Sequence, residues 1–177
     1  MRKLIAYLAI SADGFIARAD HDVAWLPPPV GDVDYGIGAF YESIDTVVMG
    51  RATWEVGRAL GQQSYAGKKN YVVSRTAESN EHVEVVRELG ALVAQLRATP
   101  GKDVWIVGGA ELFAALVDAG ELDELSLHVI PKLIGAGIPL LAPRIRDVAM
   151  ELIGSETYAD GVVRLHYRLP RRSPAST

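Results

Sequence analysis

The feature that most constrains this chain is a set of short apolar runs that are continuous rather than alternating. Residues 4–10, 46–49, 71–73 and 104–107 are each rich in Val, Ile or Leu. Runs of this kind suit strands covered on both faces, as in a parallel sheet. Parallel strands need crossover connections, and helical patterns fall between these runs. Residues 35–43 place Ile37, Phe40 and Tyr41 at helical spacing. Residues 88–97 put Leu89, Leu92, Val93 and Leu96 on one stripe, and residues 111–119 do the same with Leu112, Phe113, Leu116 and Val117. Gly120 is a natural stop for the last of these. The expected class is α/β with a mostly parallel central sheet.

The end of the chain reads differently. Residues 124–130, 150–158 and 162–169 are strand-like, and Ala159-Asp160-Gly161 joins the last two. Asp-Gly between strand patterns marks a hairpin, so an antiparallel C-terminal pair is expected. Two long loops stand out, residues 17–33 with Pro27-Pro28-Pro29 and residues 132–146 with their Gly and Pro. Residues 170–177 have no apolar anchor and are expected to be a disordered tail. The rest, 1–169, forms one domain, the number that 177 residues suggest.

Composition removes several classes of function. There are no cysteines, which excludes disulfide scaffolds, thiolate zinc sites, iron–sulfur clusters and a cysteine nucleophile. Lys+Arg number 18 against 22 Asp+Glu, a net charge of −4, which argues against a nucleic-acid partner. Arg2 and Lys3 followed by apolar residues imitate a secretory leader, but the run is short and Asp13 follows closely. It is too short to cross a bilayer, so no membrane partner is expected. The preferred reading is a buried first strand of a cytoplasmic protein. The four histidines, His21, His82, His128 and His166, lack metal-ligand spacing. No metal is expected. His128 and His166 fall in predicted strands, as exposed or hydrogen-bonded groups.

Chemistry is concentrated just after three buried runs. Gly50-Arg51-Ala52-Thr53 follows the second, Ser74-Arg75-Thr76 the third and Gly108-Gly109-Ala110-Glu111 the fourth. Ligands of open α/β sheets bind outside the carboxyl ends of the strands. Glycine permits close backbone approach, helix N-termini aim N–H groups at anions, and Arg forks onto phosphate oxygens. Each segment alone has a plain structural reading: a tight turn at Gly108-Gly109, solvated Arg51 and Arg75, a helix cap at Thr53. Together they point to a ligand with several phosphates, a dinucleotide above all. Glu111 sits awkwardly in the first turn of a phosphate-facing helix, so its side chain is expected to turn away. Gly36-Ile37-Gly38 and Gly135-Ala136-Gly137 do not open a helix after a strand, and the three-glycine dinucleotide fingerprint is missing.

Three segments, in order, resemble the dihydrofolate reductase superfamily. These are Ala9-Ile10-Ser11-Ala12-Asp13-Gly14-Phe15-Ile16-Ala17, Val48-Met49-Gly50-Arg51-Ala52-Thr53-Trp54-Glu55 and Val107-Gly108-Gly109-Ala110-Glu111-Leu112-Phe113. Val73-Ser74-Arg75-Thr76, Leu122-Asp123-Glu124-Leu125 and the stretch from Pro131 to Gly137 look closer to one branch. That branch contains the reductase domain of the riboflavin-biosynthesis deaminase-reductase. The resemblance implies a single-domain, three-layer fold with NADPH across the strand ends. It assigns Gly50, Arg51 and Thr53 to the pyrophosphate and adjoining ribose, and Ser74, Arg75 and Thr76 to the 2′-phosphate. Gly108 and Gly109 would form a close-approach peptide, often cis, from which the helix of Ala110, Glu111 and Leu112 faces the phosphates. Ala9 and Ile16 match positions flanking the nicotinamide.

Asp34 lies 50 − 34 = 16 residues before Gly50, at the start of a predicted helix. It resembles the buried acidic residue that grips the pterin in dihydrofolate reductases and is the catalytic candidate. A helix N-cap is the competing reading, and Asp32 is the alternative in a shifted register. The expected activity is hydride transfer from NADPH to a nitrogen heterocycle or ribosylaminopyrimidine phosphate. Dihydrofolate reduction and non-catalytic NADPH binding are the alternatives, and the proline-rich loop of residues 17–33 is unlike the folate-site loop. Relatives of this branch are commonly homodimers, and the C-terminal strands could supply an interface.

Overall fold

In the computed structural model, which describes residues 1–28, 33–144 and 147–171, the first apolar run becomes β1 (Leu4–Ser11) in the interior of an eight-stranded sheet. Leu4, Ala6 and Ile10 join the core on one face while Tyr7 joins the core on the other. A strand buried on both sides has no polar face to alternate with, which is why the run is continuous. β6 (Asp103–Gly108) and β7 (Glu124–Ile130) flank it, both parallel. β3 (Ile44–Gly50), β4 (Lys69–Val73) and β5 (Glu84–Val86) extend the parallel set beyond β6.

Beyond β7 the sheet changes sense. β10 (Val163–Arg168) pairs antiparallel with β7, and β9 (Glu151–Thr157) antiparallel with β10. The strand order is β5-β4-β3-β6-β1-β7-β10-β9, leaving β9 as an open edge with Leu152 exposed. The hairpin forms where Asp-Gly foretold it: Gly161 has φ +85°, and the Val162 amide donates to Asp160 Oδ1 at 3.1 Å. A separate ribbon joins β2 (Phe15–Ala17) to β8 (Ile138–Pro139).

Helices cover both faces, giving three layers. Trp54 of α2 (Arg51–Ala59) and Phe40 of α1 (Ile37–Ser43) pack on the Val47, Met49 and Val72 side. Leu92, Val93 and Leu96 of α3 (Leu89–Ala98) and Leu112, Phe113 and Leu116 of α4 (Ala110–Ala119) pack on the Leu4, Val48 and Val104 side. Gly120 closes α4 in the left-handed region, as expected.

Three readings need correction. α1 starts two residues later than its apolar spacing suggests, because Tyr35 (φ +54°) and Gly36 (φ +83°) are left-handed and cannot belong to a right-handed helix. α2 was not foreseen as a helix from the sequence, and Trp54 is its one buried side chain. The tail expected from residue 170 begins with an anchored residue: Arg171 Nη2 lies 2.5 Å from Asp123 Oδ1. Residues 172–177 lie outside the described residues. Among the described residues no helix is long and apolar enough to cross a membrane.

Candidate functional site

The parallel register brings the three marked strand ends together. Gly50 pairs with Val73, so Ser74 emerges beside the start of α2. Met49 pairs with Gly108 across a register shift, so Gly109 emerges on the other side. A Cβ placed on Gly50 would sit 3.5 Å from the Gly109 amide nitrogen, and one on Gly109 would sit 3.4 Å from Thr53 Oγ1. Gly108 has φ +138°, and a Cβ there would come within 3.3 Å of Phe113. The Gly108–Gly109 peptide is cis, as the resemblance implied.

This juncture exposes unused donors. Gly50 and Gly109 are the N-cap residues of α2 and α4, and neither has a side chain to accept from the first-turn amides. Those orphan N–H groups and both helix dipoles therefore favour an anion at the same place. Thr53 adds a half-buried hydroxyl that bonds no other group among the described residues. Leu112 is buried, so it can offer only its amide. Glu111 does turn away: Arg144 donates to its Oε2 at 2.9 Å and to Asp118 at 2.6 Å. Arg51 bonds Glu55 one turn along its own helix at 3.0 Å.

The segment after β4 is arranged differently from expectation. Ser74 is buried, and its Oγ accepts from the amides of Thr76 (3.2 Å) and Ala77 (3.0 Å). Ser74 thus builds the turn, while Arg75 and Thr76 are exposed at its tip. At the end of β1, Ala9 packs in a small cluster around Trp25 and Ile130, whereas Ile16 packs against the larger core. Asp13 ties the neighbouring loop down, accepting from Ser11 Oγ (2.6 Å) and the Gly135 amide (2.7 Å). The Ser11 hydroxyl holds its carboxyl below the usual range.

Asp34 stands apart from this cradle, and the expectation of a buried carboxylate is not met. It is exposed, and its oxygens accept from the amides of Gly36 (2.8 Å) and Gly38 (3.4 Å). This is an Asx-type turn leading into α1 and not the N-cap of the competing reading, because the N-cap of α1 is Gly36, two residues further on. Asp32 lies outside the described residues.

Nothing in the sequence pattern announces what surrounds Asp34. The Tyr35 carbonyl accepts from Tyr7 (2.6 Å) and Tyr158 (3.0 Å), and His128 Nε2 lies 3.2 Å away with the carbonyl as its acceptor. Tyr7 stacks on Phe40 with centroids 4.3 Å apart. Burial pushes the Tyr7 phenol up and the His128 imidazole down, so both are neutral at pH 7. Among the described residues, Trp25 Nε1 and Arg164 Nε are buried with no hydrogen-bond partner. These residues come from five separate segments: β1, the loop of Trp25, the Tyr35 turn with α1, β7 and the β9–β10 hairpin.

The comparisons agree with this geometry. The RibD C-terminal domain family matches residues 2–164. An uncharacterised Bacillus subtilis protein, YwjB, is 36% identical over 170 residues, covering 94% of this chain and 97% of its own. A Shewanella sp. PV-4 structure ascribed to riboflavin biosynthesis superposes with TM-score 0.86 at 26% identity, covering 96% of this chain and 99% of that one. Dihydrofolate reductase from Enterococcus faecalis, solved with NADP(H), superposes with TM-score 0.65 at 20% identity, covering 94% and 96%. The last likeness establishes the dihydrofolate-reductase-like fold.

Proposed function

The chain belongs to the RibD C-terminal domain family, and from that premise we propose that it is an NADPH-dependent reductase of a nitrogen heterocycle, a ribosylaminopyrimidine phosphate first. The observation that carries the reading is the meeting of two glycine-capped helix N-termini around the unpartnered Thr53 hydroxyl. Such a cradle fits a pyrophosphate: it offers amide donors, a hydroxyl and two dipoles, and it lacks the Cβ atoms that would hold an anion off. The Enterococcus enzyme of the same fold was solved with NADP(H).

Bound NADPH would supply the hydride; the protein's contribution is placement and electrostatics. Amides of Arg51, Ala52 and Thr53 and of Ala110, Glu111 and Leu112 would hold the pyrophosphate. Arg75 and Thr76 would meet the 2′-phosphate, and Ala9 with Ile16 would border the nicotinamide. Asp34 is the carboxylate proposed to face the substrate, and its exposure leaves lone pairs free for an amino group of the heterocycle.

Titration with NADPH and NADH, followed by loss of nicotinamide absorbance with pyrimidine substrates and dihydrofolate, tests the proposal. Failure to bind NADPH refutes it. Binding without turnover on any heterocycle identifies a non-catalytic NADPH-binding protein.

A further inference from the structure

The turn that carries Arg75 is held by a second arginine from another strand. Ser74 N donates to Val86 O at 3.1 Å, continuing the parallel pairing of β4 with β5, and Arg87 Nη1 donates to Ser74 O at 2.7 Å. That carbonyl belongs to the peptide joining Ser74 to Arg75. The Arg87 guanidinium therefore lies against the very peptide from which Arg75 projects.

Two facts show that this is more than a backbone prop. The Thr76 and Ala77 amides are already bound to Ser74 Oγ, and the Ser74 amide to Val86. An anion at this turn must then be held largely by side chains, namely Arg75, Thr76 and whatever else reaches it. Among the described residues, moreover, neither Arg75 nor Arg87 forms an ion pair. Arg2, Arg51, Arg97, Arg144 and Arg168 all do. Two exposed, unpaired guanidinium groups on adjacent strand ends of a chain with net charge −4 make a local excess of positive charge. Arg87 spends one N–H on the carbonyl and keeps the rest of its fork for an acceptor.

We propose that Arg87 is a second ligand for the 2′-phosphate of NADPH and, with Arg75, sets the preference for NADPH over NADH. This rests on the reading of the Ser74–Thr76 turn as the 2′-phosphate subsite. The chemistry matches a phosphomonoester, which is close to a dianion at pH 7 and gains most from two converging forks.

The test is calorimetric titration of wild type, Arg87→Gln, Arg87→Lys and Arg75→Ala with NADPH, NADH and adenosine 2′,5′-bisphosphate. Arg87→Gln is expected to weaken NADPH and the bisphosphate about tenfold, the low end for a charge-assisted contact at an exposed site, with NADH unchanged. Arg87→Lys should restore part of the loss. Equal weakening of NADPH and NADH would mean that Arg87 only props the turn, and no weakening of either would remove it altogether. If Arg75→Ala alone abolishes discrimination, the subsite stands and Arg87 has no part in it. If wild type itself binds NADPH and NADH alike, the subsite reading fails and this inference fails with it.

Discussion

Replacing Thr53 by Val is the sharpest probe of the cradle, because it deletes one hydroxyl and keeps the shape. Thr53 is the third residue of α2, and its Oγ1 lies where Cβ atoms on Gly109 or Gly108 would come to 3.4 and 3.8 Å. With no bond to lose among the described residues, and with Thr and Val close in helix propensity, the folded protein should barely notice. The melting temperature of the free protein should shift by no more than a few degrees. The loss appears only with ligand. A hydrogen bond to a charged phosphate contributes about 1.5–3 kcal/mol, and partial exposure puts this one at the lower end. At about 1.4 kcal/mol per factor of ten, Kd should rise roughly tenfold. Since the pyrophosphate is common to both dinucleotides, NADPH and NADH should weaken equally, which separates this variant from any change at the 2′-phosphate. Calorimetry with each dinucleotide reads both numbers. An unchanged Kd for NADPH would refute the reasoning. So would a loss confined to NADPH, because Thr53 would then not face the shared phosphates.

Other substitutions divide the molecule differently. Arg75→Ala should weaken NADPH much more than NADH, measured by the same titrations; equal losses would remove Arg75 from the 2′-phosphate. Asp34→Asn should lower turnover while leaving NADPH affinity nearly intact, whereas unchanged kcat and KM would leave Asp34 a cap for the turn before α1. Asp123→Asn should destabilise the protein without touching cofactor affinity. Burial tends to raise the Asp123 carboxyl, but bonds from Arg171, Arg97 and the Leu4 amide outweigh it and hold it low. Its folded value lies below its unfolded one, so the stabilisation exists above about pH 4 and fades as pH falls through the folded value. Breaking such a buried network costs about 3–5 kcal/mol. Thermal melts should show a large gap between variant and wild type at pH 7 that narrows in acid, and a gap independent of pH would contradict the assignment.

What could be read from the sequence was what local rules control. Continuous Val/Ile runs marked β1, β3, β4 and β6 because burial on both faces leaves a composition with no alternative. The strand-end segments were readable because glycines, hydroxyls and arginines recur together after three buried runs, where ligands of α/β sheets bind, although each segment alone would pass for a turn or a cap. Asp160-Gly161 gave the hairpin, since Asp-Gly between strand patterns marks one. The Tyr35 turn was not readable, since nothing marks a tyrosine for positive φ. Its conformation is held by tertiary bonds from Tyr7, His128 and Tyr158, residues 28, 93 and 123 positions away. Arg87 was missed because β5 is three residues long and carries no periodic signal. The part Ser74 plays in its own turn was not readable, because a buried hydroxyl that accepts two amides looks the same in sequence as one that meets a ligand.

The two ends of the parallel strands use similar residues to opposite effect, and this division is the best argument that the carboxyl ends are the functional ones. At the amino ends, charged groups are buried and saturated. Arg2 pairs with Asp45 and bonds Thr46 Oγ1 at 2.6 Å; Arg97 meets Asp123 at 2.6 Å; Glu124 is shared by Lys3 at 2.7 Å and His166 at 3.0 Å. These networks pin the starts of β1, β3 and β7 to one another. At the carboxyl ends, among the described residues, the Arg75 and Arg87 guanidinium groups form no ion pair and the Thr53 hydroxyl no hydrogen bond, and α2 and α4 begin on glycine with no side-chain cap. A chain that satisfies its polar groups at one end could do the same at the other with a few Asp or Ser caps, each stabilising by about 1 kcal/mol. Leaving two glycine-started helices and two guanidinium groups unsatisfied around one juncture is the arrangement expected when a polyanionic ligand completes the hydrogen bonding.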